Sequence, residues 1–143
     1  MIVNTILSSK GSNVVTIEPT ATLADACQLL TKHRIGAVLV TGAGSQIAGI
    51  VSERDIVRAM AAHGAAALDL PLAEIMTRKV VTCSRGDTIA GLMVQMTEGK
   101  FRHLPVVEDG KVLGIISIGD VVKTRLQEME HEHSAMREYI QTA

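Results

Sequence analysis

Two short segments set a hydroxyl and a carboxylate at the same spacing: Ser52-Glu53-Arg54-Asp55 and Ser117-Ile118-Gly119-Asp120. These residues support two accounts. A Ser at the N-cap with an acid three positions on is a capping box, which closes the first turn of a helix and stabilises it by about 1 kcal/mol. The other account starts from the helix amino terminus, whose unpaired N–H groups and partial positive charge suit a phosphate. There the Ser hydroxyl adds a donor, and the Asp carboxylate offers two acceptors that match the 2′ and 3′ hydroxyls of a ribose. The carboxylate cannot sit on the phosphate itself, because two anions repel. A sugar carrying phosphate at one end and a diol at the other satisfies both groups, and such a ligand is a nucleotide.

A phosphate also needs cations. Arg102 and His103 stand in Lys100-Phe101-Arg102-His103-Leu104-Pro105, just ahead of an apolar run. An Arg holds a phosphate with two parallel hydrogen bonds and a His donates one more, although a solvated basic loop reads the same way. At the matching positions of the first segment stand Gly36 and Ala37, which carry no charge, so the two candidate sites are unequal. Arg54, where the second segment has Gly119, compensates in part. Other reactive types offer less. Cys27 and Cys83 form no Cys-x-x-Cys pair and read as reduced structural thiols. His131-Glu132-His133 falls on a helix, where positions i and i+2 face apart, so it reads as a solvated face rather than a metal site. His33 and His63 fall near helix ends as capping or surface residues.

The elements that must position these groups come from a duplication. Shifted by 66 positions, Val14–Gly44 aligns with Val80–Gly110 and matches at Val14-Val15-Thr16, Thr22, Thr31 and Val40. The shift then falls to 65, and GIVSERDIV (Gly49–Val57) lies on GIISIGDVV (Gly114–Val122). Each copy reads β-α-β-β-α. Val14–Ile17 and Val80–Cys83 are β-branched runs followed by polar breakers. Thr22 and Thr88 open helices whose apolar stripes are Leu23, Ala26, Cys27, Leu30 and Ile89, Leu92, Met93, Met96. Ala37–Thr41 and Leu104–Val107 are strands, and Asp109-Gly110 suits a tight hairpin turn. A last strand in each copy ends at Ser52 or Ser117, where a helix starts at once. Ala61–Leu70 reads as a flexible helix exit and linker, followed by a short helical turn at Leu72–Met76. After the second copy a long helix runs to about Tyr139. Its Val122, Leu126, Met129, His133, Met136 and Ile140 repeat at heptad spacing, fit to pack on a partner chain or on the domain body.

Composition narrows the classes. The chain has 143 residues, 47% hydrophobic and 20% charged, an ordinary globular balance. A net charge of −1 argues against gripping nucleic acid through its phosphates, and Phe101 and Tyr139 alone make no base-stacking platform. No apolar run is long enough for a membrane span, and Met1–Lys10 lacks the pattern of a signal peptide, which predicts a cytoplasmic protein. A half of this length buries too little surface to be comfortable alone, so the two halves are expected to pack together.

The tandem units closed by GIVSERDIV and GIISIGDVV resemble cystathionine-β-synthase (CBS) domains arranged as a Bateman module, over about Val3 to Lys123. With Lys10-Gly11, Ile35-Gly36 and Ser52-Glu53-Arg54-Asp55, the chain is similar to small stand-alone bacterial two-CBS proteins. The resemblance implies an α+β fold of two β-α-β-β-α CBS units packed as a pseudo-two-fold pair, with the long C-terminal helix added. It divides the chain into 1–70 and 71–143. It also implies a cleft for an adenosine ligand: AMP, ADP, ATP, NAD or S-adenosylmethionine. Carried over, Asp55 and Asp120 hold riboses, Ser52 and Ser117 assist phosphates, and Arg102 and His103 meet phosphate in the Asp120 site. Ile35 and Gly36 line that site's adenine pocket from the opposite copy, while Phe101 and Arg102 line the Asp55 site. Family members pair head to head, so a homodimer joined through helices of both units is expected. The implied role is regulatory: a sensor of nucleotide state signalling to a partner protein. A dinucleotide such as NAD(H) in one site is the nearest variant. A protein of pure assembly, its clefts empty, is the rival from another class. An enzyme is not expected, since the chain shows no nucleophile–base pair.

Overall fold

The computed structural model describes residues 1–11 and 13–142 as two compact units. One is Val14–Val80; the other joins Met1–Asn13 to Val81–Ala143. The division therefore differs from the expected cut between 70 and 71. The first segment belongs with the second repeat because Val3 and Ile6 are buried in that repeat's core with Leu92, Leu104 and Ile116. The stretch after residue 70 belongs with the first repeat because Leu72 is fully buried among Leu23, Val38 and Val51.

In the Val14–Val80 unit, strand β1 (Thr16–Ile17) pairs in parallel with β2 (Ala37–Thr41), and β2 pairs antiparallel with β3 (Ile47–Ser52). Helix α2 (Leu23–His33) opens on the capping box of Thr22 and Asp25, and it buries Leu23, Ala26 and Leu30 against the sheet. Helix α3 (Glu53–His63) starts directly after β3. The expected flexible linker is ordered instead: a 3-10 turn over Gly64–Asp69 buries Ala67 completely, since its small side chain fits close against the core. The short helical turn α4 (Leu72–Ile75) is tied back by the Leu72 N–H donating to Ala21 O at 2.8 Å.

In the other unit, helix α1 (Val3–Lys10) packs so closely on the sheet that a Cβ at Gly114 would lie 2.7 Å from Leu7. Helix α5 (Ile89–Gly99) precedes a hairpin of β4 (His103–Glu108) and β5 (Lys111–Ser117). Its two turn residues, Asp109 and Gly110, both have positive φ (50° and 77°), the geometry expected of a tight hairpin. The last helix, α6 (Ile118–Thr142), is 25 residues long. The strand expected at Val80–Cys83 shrinks to one parallel bridge between Cys83 and Val106. Proline explains the loss. In the first unit the Leu39 N–H donates to Val15 O at 3.4 Å, and the aligned residue in the second unit is Pro105, which has no N–H to give.

Candidate functional site: two helix entrances

At the first entrance β3 runs straight into α3 through Ser52. The Ser52 N–H and hydroxyl both donate to Asp55 Oδ2, at 2.8 and 3.0 Å, and the Asp55 N–H donates back to Ser52 Oγ at 3.4 Å. The Thr77 hydroxyl donates to the other oxygen, Oδ1, at 3.0 Å. Asp55 is 8% exposed.

The second entrance repeats the cap and changes the rest. The Ser117 N–H donates to Asp120 Oδ2 at 2.9 Å, and the Asp120 N–H donates to Ser117 Oγ at 3.2 Å. Where Thr77 reaches Asp55, the ammonium of Lys10 reaches Asp120 Oδ2 at 2.7 Å, held also by Ile115 O at 2.9 Å. The Asp120 side chain is 26% exposed. Partial burial pushes its carboxyl up, but hydrogen bonds from Lys10 and Ser117 and the nearby ammonium charge outweigh this, so its pKa lies below the ordinary value.

Both capping boxes are therefore real, and the open phosphate cradle expected at each helix start is partly closed. The Glu53 N–H donates to Gly36 O at 3.0 Å and the Ile118 N–H to Arg102 O at 2.8 Å, while the Asp55 and Asp120 amides bond the cap serines. Two amides of each first turn are spoken for, because the strand partner runs alongside the helix start.

The same register gathers part of the expected set. Ala37 pairs with Ser52 and His103 with Ser117, so cross-strand neighbours put His103 and Ser117 on one face of the hairpin, with exposed Arg102 next in line. Arg102, His103, Ser117 and Asp120 thus meet at one end of one unit. Phe101 is half-buried against its own unit's core, its ring so close over Gly99 that a Cβ there would overlap it. In the Val14–Val80 unit, Ile35 and Gly36 line a depression of about 460 Å³ with Leu30, Arg34, Glu53 and Ile56. Asp55 lines a separate depression of about 320 Å³ with Arg58, His63, Glu74 and Thr77. Arg54 is exposed and Ser52 half-buried beside it. Lys10 and Thr77 are the partners that sequence reasoning did not assign. Only Lys10 left a trace there, in the Lys10-Gly11 pair.

A family model, that of the CBS domain, matches residues 6–62 and again 72–127. The chain belongs to the CBS-domain family. A solved CBS-domain protein from Agrobacterium tumefaciens, ATU1752, is 48% identical and superimposes with a TM-score of 0.85 over 87% of this chain and 92% of that one. The CBS domain pair of protein MJ0100, solved in complex with 5′-methylthioadenosine and S-adenosyl-L-methionine, is 25% identical, with a TM-score of 0.77 over 87% of this chain and 98% of that one. The mitochondrial CBS domain-containing protein CBSX3 of Arabidopsis thaliana is 35% identical over 84% of this chain, and the chain spans only 60% of its length. In CBS terms, the two entrances close the two repeats.

The remaining reactive groups fall outside the entrances. Burial, with Asp87 nearby, pushes the Cys83 thiol up to about 12, so it stays protonated. Among the described residues no group of three or more His, Cys, Asp and Glu could hold a metal ion, and no helix is long and apolar enough to cross a membrane.

Proposed function

We propose that this chain is a regulatory module that binds an adenosine-containing ligand, AMP or a related nucleotide, and passes its bound state to a partner protein. The observation that carries this reading is the Asp120 entrance. Its carboxylate is partly open, its bonds from Lys10 and Ser117 both fall on Oδ2, and Arg102 and His103 stand at the same end of the hairpin. That sets an acceptor for a ribose diol beside cationic donors for a phosphate. The two adenosine compounds bound to the MJ0100 pair support the same ligand class. At Asp55 both oxygens already accept bonds, and the positions that match Arg102 and His103 are the uncharged Gly36 and Ala37. We assign that entrance, with Ser52 and Arg54 beside it, the secondary role or a longer ligand such as NAD(H), and keep Ile35 and Gly36 as the adenine-side lining of the Asp120 site. A non-catalytic, cytoplasmic homodimer accords with this reading and with two free cysteines.

Native mass spectrometry of freshly purified protein, followed by calorimetry with AMP, NAD and S-adenosylmethionine, tests the proposal. The expected result is a retained mass of an adenosine ligand. Asp120→Asn should bind roughly tenfold to a hundredfold more weakly, the loss of one charge-assisted contact. Unchanged affinity in that variant removes the ribose role. If no nucleotide is carried and none raises the melting temperature, the chain is an assembly protein. Steady turnover of nucleotide would make it an enzyme.

A further inference from the structure

The long helix α6 leaves its apolar seam uncovered. Only Val121 and Thr124 of this helix are buried, whereas Leu126, Met129, Met136 and Ile140 are 61%, 50%, 60% and 67% exposed. Four large apolar side chains in one stripe on a helix need a cover. Heptad positions follow from the spacing: Leu126, His133 and Ile140 take a, while Val122, Met129 and Met136 take d. The flanks are then Arg125 and Glu132 at g, with Lys123, Glu130 and Arg137 at e.

These flanking charges select the occupant. We propose that a second copy of this chain covers the seam, its α6 lying parallel and in register as a short coiled coil. In that arrangement each g residue faces the e residue five positions on in the other copy. Arg125 then meets Glu130 and Glu132 meets Arg137, each pair formed twice, with no like charges opposed. An antiparallel pair aligned over the whole seam fails, because it sets Glu130 against Glu130, Glu132 against Glu132, and Lys123 against Arg137. Sliding the antiparallel pair by one heptad restores opposite charges but uncovers either Met136 and Ile140 or Val122 and Leu126. Arg125 already pairs with Glu128 on its own helix, and its five N–H donors allow both contacts. His133 at a central a position is a polar layer, the kind that fixes register at a cost in stability.

The test is cross-linking of the full chain. Ile140→Cys, exposed to oxidised glutathione, should give a disulfide between the two copies of position 140, mapped by peptide mass spectrometry. A parallel in-register pair brings these positions together, and an antiparallel one keeps them apart. Glu132→Arg and Arg137→Glu, each made in that background, set like charges against each other in a homodimer. Each should cross-link roughly threefold to tenfold less alone, and mixing the two should restore the original yield. His133→Leu should raise it. These positions lie on the exposed part of α6, so the fold is untouched. No 140–140 disulfide from the parent variant, or equal yields from the charge variants alone and mixed, overturns the proposal.

Discussion

The two helix entrances share a cap and differ in what holds the far side of the aspartate. At Ser52–Asp55 a neutral hydroxyl, Thr77, completes a buried carboxylate; at Ser117–Asp120 a cation, Lys10, completes a more open one. Duplication preserved the part that starts a helix and let the outer partner diverge. A carboxylate enclosed by neutral donors contributes to stability, whereas one facing an ammonium and solvent can exchange that partner for another. The same sequence motif thus has a different weight in each copy.

The contrast can be broken most directly at the aspartates. Asp55→Ala should cost about 2–3 kcal/mol in urea denaturation, because it strands the Ser52 amide and the donors around it in a buried place. Asp120→Ala should cost about 1 kcal/mol, the value of an ordinary cap. Equal losses would mean that the entrances are alike. Next in size, Thr77→Val should lower stability by about 1 kcal/mol through the Asp55 contact alone. Lys10→Met should change stability least, by about 0.5 kcal/mol or less at neutral pH, since its ammonium is well exposed and screened.

The pH dependence of Lys10→Met sharpens the comparison further. The Asp120 carboxyl titrates below its ordinary value in the folded chain. Its contribution is therefore complete above the unfolded value of about 4 and is lost as pH falls through the lowered folded one. Lys10→Met should raise the Asp120 titration midpoint, followed by carboxyl NMR, and shrink the acid-side loss of stability. A midpoint that stays put would show that Ser117, not Lys10, sets it.

Much of this was legible because it is local. The Thr22 and Ser52 caps, the Asp109-Gly110 turn and each step of the α6 heptads rest on residues within a few positions of one another, and the repeat needs only a comparison of one stretch with another. What escaped depends on distance along the chain. Lys10 and Asp120 are 110 positions apart, and Thr77 reaches back 22 positions to Asp55. Helix α1 has only Val3 and Ile6 on its buried side, too short a stripe to announce a helix. Pro105 was visible but read only as part of a strand, although its missing N–H removes a ladder bond from the neighbouring strand.

Helix α1 has a consequence for the order of synthesis. Its resting place is built from residues around 85–116, so α1 is made well before its partners and must wait for them to leave the ribosome. Meanwhile Val14–Val80, contiguous in sequence, is complete before the hairpin is made, and a nascent chain stalled at that point would carry Val3, Ile6 and Leu7 bare.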